Sequence, residues 1–126
     1  MYGITNRFDY FDRSDRVGRL FVSRDYGGRR PQDAPEHYLR ASTHHRMHEI
    51  RTPLLVLHGS EDKRVPPVQS EAVVAALQAH GVEHEYVVYP GEGHGFRKKS
   101  NADFQFYATV LFMRQYLLSG TQPGTP

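Results

Sequence analysis

An α/β fold with a parallel sheet is predicted for this chain by three consecutive stretches of its second half. Leu54-Leu55-Val56-Leu57-His58-Gly59 is a continuous apolar run that ends in glycine, the pattern of a strand covered on both faces rather than one. Val68, Ala72, Val73, Ala76 and Leu77 recur at helical spacing before Gly81, a glycine placed where a helix commonly stops. Residues Glu83 to Tyr89 are then β-branched and aromatic. Strand, helix and strand in that order form a right-handed crossover unit, which makes the two strands parallel.

The remaining elements follow in chain order. Residues 1 to 34 are rich in Gly, Asp, Arg and Tyr with little periodicity, and read as loop with one short helical turn around Arg7 to Phe11; a third strand could also lie near the start. Pro35-Glu36-His37-Tyr38-Leu39 reads as a short helix, because proline suits the first turn and glutamate the positive end of the dipole. Ser100-Asn101-Ala102-Asp103 has a capping-box pattern ahead of a final helix on which Phe106, Val110, Met113 and Leu117 recur at steps of four, three and four. The aromatic row on that helix, Phe104, Phe106, Tyr107, Phe112 and Tyr116, is expected to pack against the sheet, with a membrane or partner face as the minority reading. Ser119 to Pro126 reads as a flexible tail.

Composition removes several classes of function. The net charge is +2 and the basic residues fall in short groups such as Arg29-Arg30 and Arg97-Lys98-Lys99, too scattered for a nucleic-acid footprint. There is no cysteine, which excludes disulfides, zinc–thiolate sites and thiol nucleophiles. The longest apolar runs, Pro53 to Leu57 and Ala72 to Leu77, are far short of the ~20 residues that a membrane-spanning helix needs. With no apolar leader after Met1-Tyr2-Gly3, a cytoplasmic location is expected.

Chemistry concentrates in Tyr89-Pro90-Gly91-Glu92-Gly93-His94-Gly95-Phe96. Glycine on both sides of His94 lets the backbone turn sharply and project an imidazole from a loop. In parallel α/β sheets, functional groups gather at the carboxyl ends of strands. The strand 54 to 58 ends in its own loop, Gly59-Ser60-Glu61-Asp62-Lys63-Arg64-Val65-Pro66, so a carboxylate there can meet His94 if the strands are neighbours. Asp62 and His94, thirty-two positions apart (94 minus 62), have the later part of the Ser…Asp…His order found in α/β-hydrolases.

The segments TPLLVLHGSEDKRVPPVQS and ALQAHGVEHEYVVYPGEGHGF, with the closing aromatic helix, resemble the C-terminal part of the catalytic domain of the prolyl oligopeptidase family of serine peptidases. The resemblance runs from about Tyr38 to Leu118 and is specific at HG-x-x-D-x-x-VP and EGHGF; GITN at residues 3 to 6 also resembles a family segment, with Asn6 where Asp is common. It implies residues 1–118 as the C-terminal, incomplete portion of an α/β-hydrolase domain, a peptide substrate, Asp62 and His94 as triad acid and base, and no cofactor. Glu61 competes with Asp62, and the family spacing to Val65-Pro66 favours Asp62. None of the seven serines (Ser14, Ser23, Ser42, Ser60, Ser70, Ser100 and Ser119) lies in G-x-S-x-G. The expectation is therefore a fragment of a longer enzyme that lacks its nucleophile and is inactive alone. The alternatives are an esterase or dienelactone-hydrolase-like fragment, and a non-catalytic remnant that associates through an exposed sheet edge.

Five other positions have plainer readings. Glu92 is expected to anchor its loop, His58 to pack or hydrogen-bond beneath the acid loop, and Arg64 to lie at the surface. His44 and His48 have an i, i+4 spacing that would place two imidazoles on one face of an α-helix, but no carboxylate accompanies them at metalloprotease spacing, and no metal site is expected.

Overall fold

The computed structural model describes residues 3–118; the predicted tail at 119–126 lies outside the described residues. Helices α1 (Arg7–Arg13), α2 (Arg16–Arg24) and α3 (Pro35–Arg40) come first, followed by a 3₁₀ segment, His44–Glu49. Strand β1 (Leu54–Gly59), helix α4 (Val68–Ala79) and strand β2 (His84–Tyr89) then form the expected crossover unit, and α5 (Lys99–Met113) closes it, continuing as a π-helical turn through Leu118.

The two strands pair in parallel, with Leu54 opposite His84 and Gly59 opposite Tyr89. Among the described residues the sheet has these two strands only, so no third strand lies near the start. Helix α4 ends as predicted: Gly81 has φ +65°, and Val82 N–H and Gly81 N–H donate to Leu77 O and Gln78 O at 2.9 and 3.2 Å, the paired bonds of a Schellman motif. Leu77 beneath it is 1% exposed, which fixes α4 against the sheet.

The helical turn expected at Arg7 to Phe11 is part of α1, and Arg16–Arg24 forms a second helix where loop was expected. Both starts carry capping chemistry. Asn6 Oδ1 accepts from Phe8 N–H and Asp9 N–H at 3.1 and 3.2 Å, and Asp15 Oδ1 accepts from Gly18 N–H at 2.7 Å, each satisfying donors that a helix start leaves open. These helices have their own small core of Phe11, Val22 and Tyr38, with Phe8, Tyr10 and Tyr26 around it. Phe11 and Tyr38 meet edge-on at 6.0 Å, and the buried Tyr38 hydroxyl donates to Arg29 O at 2.9 Å. Gln69 on α4 ties this unit to the sheet: its Oε1 accepts from Thr5 and Asn6 N–H, and its amide donates to Asp9.

Two expectations for α5 fail. The helix starts at Lys99 with Lys98 as its extended N-cap residue and no side-chain cap bond, so Ser100 lies inside the first turn and no capping box forms. Nor does the aromatic row enter a core, although Phe104 meets Tyr89 of β2 edge-on at 6.1 Å. Phe112 and Tyr116 are half-buried against each other, whereas Phe104, Phe106 and Tyr107 are 55%, 63% and 64% exposed. A helix of 15 residues is about 22 Å long, and two strands spaced ~4.8 Å apart present too narrow a face to cover it.

Candidate active site

The loops that leave β1 and β2 start from the same rung of the ladder, Gly59 opposite Tyr89, and stay in contact. Ser60 N–H donates to Tyr89 O at 3.1 Å, Glu61 N–H donates to Glu92 O at 2.8 Å, and Gly91 N–H donates to Ser60 Oγ at 2.9 Å. Gly59 makes this approach possible, because a Cβ there would stand 2.4 Å from Glu92 O and 2.6 Å from Gly93 O. Both oxygens are backbone and cannot turn aside.

Asp62 is 3% exposed and its carboxylate is fully directed. Oδ1 accepts from Arg64 N–H and Val65 N–H, both at 2.9 Å, the local bonding that aspartate offers a turn. Oδ2 accepts from His94 Nδ1 at 2.9 Å. Since a carboxylate can only accept, Nδ1 carries the proton and Nε2 holds the basic lone pair. The His94 side chain is 31% exposed, at the tip of a tight turn closed by Gly95 N–H to Gly93 O at 2.9 Å. Gly95 has φ +122°, a value that side-chain-bearing residues rarely adopt. The structure thus brings together the two residues that the sequence singled out, and Glu61, the competing carboxylate, is exposed and joins the loop only through its backbone. A cleft of about 630 Å³ opens beside His94, with Lys63, Arg64 and Arg97 in its wall.

Glu92 is the loop anchor. It is 2% exposed; Oε2 accepts from Arg97 N–H at 2.9 Å, and Oε1 from Lys98 N–H at 3.0 Å and the Asn101 amide at 2.7 Å. It thereby ties the residues just before α5, and Asn101 in its first turn, to the His94 loop. The Arg97 backbone bond, then the Asn101 amide, hold its carboxyl below the ordinary glutamate range. A depressed folded value means stabilisation that is complete above the unfolded value and lost as pH falls through the folded one. Glu92→Gln is therefore expected to destabilise the chain at neutral pH, with the two stability curves converging below about pH 4.3, the ordinary glutamate value. Urea titrations across pH measure this; parallel curves would contradict it.

The histidines at 44 to 48 gather no ligand set. In a 3₁₀ segment, three residues make a turn, so His44 and His48 point about 120° apart instead of sharing a face. Among the described residues no group of three or more His, Cys, Asp or Glu is placed to hold a metal ion. No described helix is long and apolar enough to cross a membrane. What sequence reasoning missed is the loop-to-loop bonding through Ser60 and the close approach at Gly59, although a glycine closing a buried strand was its visible signal.

Comparison with known proteins places the chain in a family. The model of the prolyl oligopeptidase family matches residues 2–120. Dipeptidyl peptidase family member 6 of Caenorhabditis elegans is 36% identical over 77 residues, covering 61% of this chain and 10% of that protein. Esterase LipC of Mycobacterium tuberculosis is 33% identical over 126 residues, covering 95% of this chain and 31% of the esterase. The chain therefore spans less than a third of these curated relatives. Among solved structures, a puromycin-hydrolyzing peptidase of Mycobacterium tuberculosis superposes with a TM-score of 0.78 at 26% identity, covering 98% of this chain and 18% of that one. With a parallel α/β unit of the α/β-hydrolase kind and a family match over nearly its whole length, the chain belongs to the prolyl oligopeptidase family.

Proposed function

We propose that this chain carries the acid and base of a serine-peptidase triad and takes its nucleophile from outside these 126 residues. The observation that carries the reading is the 2.9 Å bond from His94 Nδ1 to Asp62 Oδ2 between the ends of two paired parallel strands. In the complete site a serine hydroxyl attacks the peptide carbonyl while His94 Nε2 takes its proton. His94 then delivers that proton to the leaving amine, and Asp62 holds the imidazole in its tautomer and stabilises the imidazolium. The serines of this chain suit other work: Ser42 Oγ donates to Tyr38 O at 2.7 Å, Ser60 Oγ accepts from Gly91, and Ser70 Oγ bonds His58. None has the elbow that would also supply an oxyanion-hole amide.

The 126-residue protein is accordingly expected to hydrolyse neither peptides nor esters above background. Incubation with an activated fluorophosphonate, followed by intact-mass spectrometry, tests this, and stoichiometric labelling of any serine would overturn it. A second reading, ester hydrolysis, is favoured by the 95% of this chain matched to the esterase. In a longer protein with the elbow in place, the ratio of peptide to acyl-ester turnover separates the two.

A further inference from the structure

His58 lies one rung below the end of β1, opposite Val88, and is 0% exposed. A buried imidazole needs both nitrogens satisfied, and here each has a partner: Nδ1 stands 2.5 Å from Ser70 Oγ, and Nε2 stands 2.8 Å from Val65 O. A carbonyl oxygen can only accept, so Nε2 carries the proton; in the neutral ring Nδ1 accepts from the Ser70 hydroxyl. Nε2 also lies 3.6 Å from Asp62 Oδ2, the oxygen that receives His94 Nδ1–H.

The consequence lies in the residue that His58 grips. Val65 donates its N–H to Asp62 Oδ1 while its carbonyl accepts from His58. The acid's turn is thus pinned at its far end by a side chain from the strand floor. The same Nε2–H edge faces Oδ2 and adds a positive dipole beneath it.

We propose that His58 is a positioning residue for the Asp62–His94 pair. Fixed in its Nε2–H tautomer by the Val65 carbonyl, with the Ser70 hydroxyl satisfying Nδ1, it holds the Val65 end of the acid loop and thereby fixes the direction in which Oδ2 meets His94. Its importance for catalysis rests on the reading of Asp62 and His94 as acid and base, whereas its effect on their hydrogen bond does not. The two can therefore fail separately.

The test is nuclear magnetic resonance on the 126-residue chain with ¹⁵N-labelled histidine. In the unmutated protein His58 is expected as the Nε2–H tautomer; an Nδ1–H tautomer would overturn the proposal without any variant. In His58→Phe, which fills the space but cannot donate, the His94 Nδ1–H proton is expected to exchange with water about three- to tenfold faster, the effect of losing about one hydrogen bond's support. His58→Gln places an amide donor near the Nε2 position and is expected to recover most of that protection. His58→Asn reaches only the Ser70 side and is not. Equal protection of His94 in the Phe variant and the unmutated chain, or no difference between Gln and Asn, would show that His58 merely fills space. If the pattern appears but a nucleophile-bearing longer protein keeps full turnover with His94→Ala, positioning stands and the catalytic reading of the pair falls.

Discussion

In a longer protein that places a serine at a nucleophile elbow beside these loops, His94→Ala is expected to lower kcat by roughly three to six orders of magnitude, and Asp62→Asn by about four. The mechanism of loss differs between them. Alanine removes the group that takes the serine proton. Asparagine keeps the size of the 3%-exposed aspartate but presents an amide that can donate, so it would favour the wrong imidazole tautomer. On the proposed reading the pair acts in the chemical step and not in holding substrate, so KM should change little in both. Steady-state kinetics with a chromogenic peptide would measure this, with circular dichroism to verify folding. Near-normal turnover with His94→Ala would remove the functional reading, and an equal loss from Glu92→Gln with folding intact would mean that the wrong carboxylate had been chosen.

The second large effect is on stability. Gly59→Ala is expected to destabilise the chain by about 2–4 kcal/mol, because its Cβ would enter space held by Glu92 O at 2.4 Å and Gly93 O at 2.6 Å. Relief requires the His94 loop to lift away, which would lengthen the Asp62–His94 bond as well. Chemical denaturation gives the first quantity and the His94 Nδ1–H resonance the second. A variant as stable as the parent, with that resonance unmoved, would mean that the loops close on each other less tightly than the structure shows.

Legibility in the sequence followed the physical origin of each feature. The crossover unit was readable because its cues are local: an unbroken apolar run, a helical repeat and a glycine stop. That a carboxylate of the 59–66 loop could meet His94 was readable because each loop follows a strand-like run, whereas the choice of Asp62 over Glu61 came from the family resemblance. Helix α1 was readable only as the turn at Arg7 to Phe11 and α2 not at all; they are short, at 7 and 9 residues, and their core forms through Tyr38, a contact distant in sequence. The exposure of α5 was also invisible. Apolar spacing says which residues could be buried, but only the width of the sheet decides whether anything is there to bury them.

The parallel register has a consequence for how this site can vary. Asp62 and His94 are 32 residues apart along the chain, yet their separation in space is set by a single pair of opposed residues, Gly59 and Tyr89. Everything between the acid loop and β2 is a detour whose length does not enter that distance. Residues added at the turn after α4, around His80 to Val82, would lengthen the detour and leave the hydrogen bond where it is. One residue added within β1 or β2 would slip the ladder and reverse the faces that its side chains present. Insertions and deletions are thus cheap in the connection and ruinous in twelve strand positions, six in each strand.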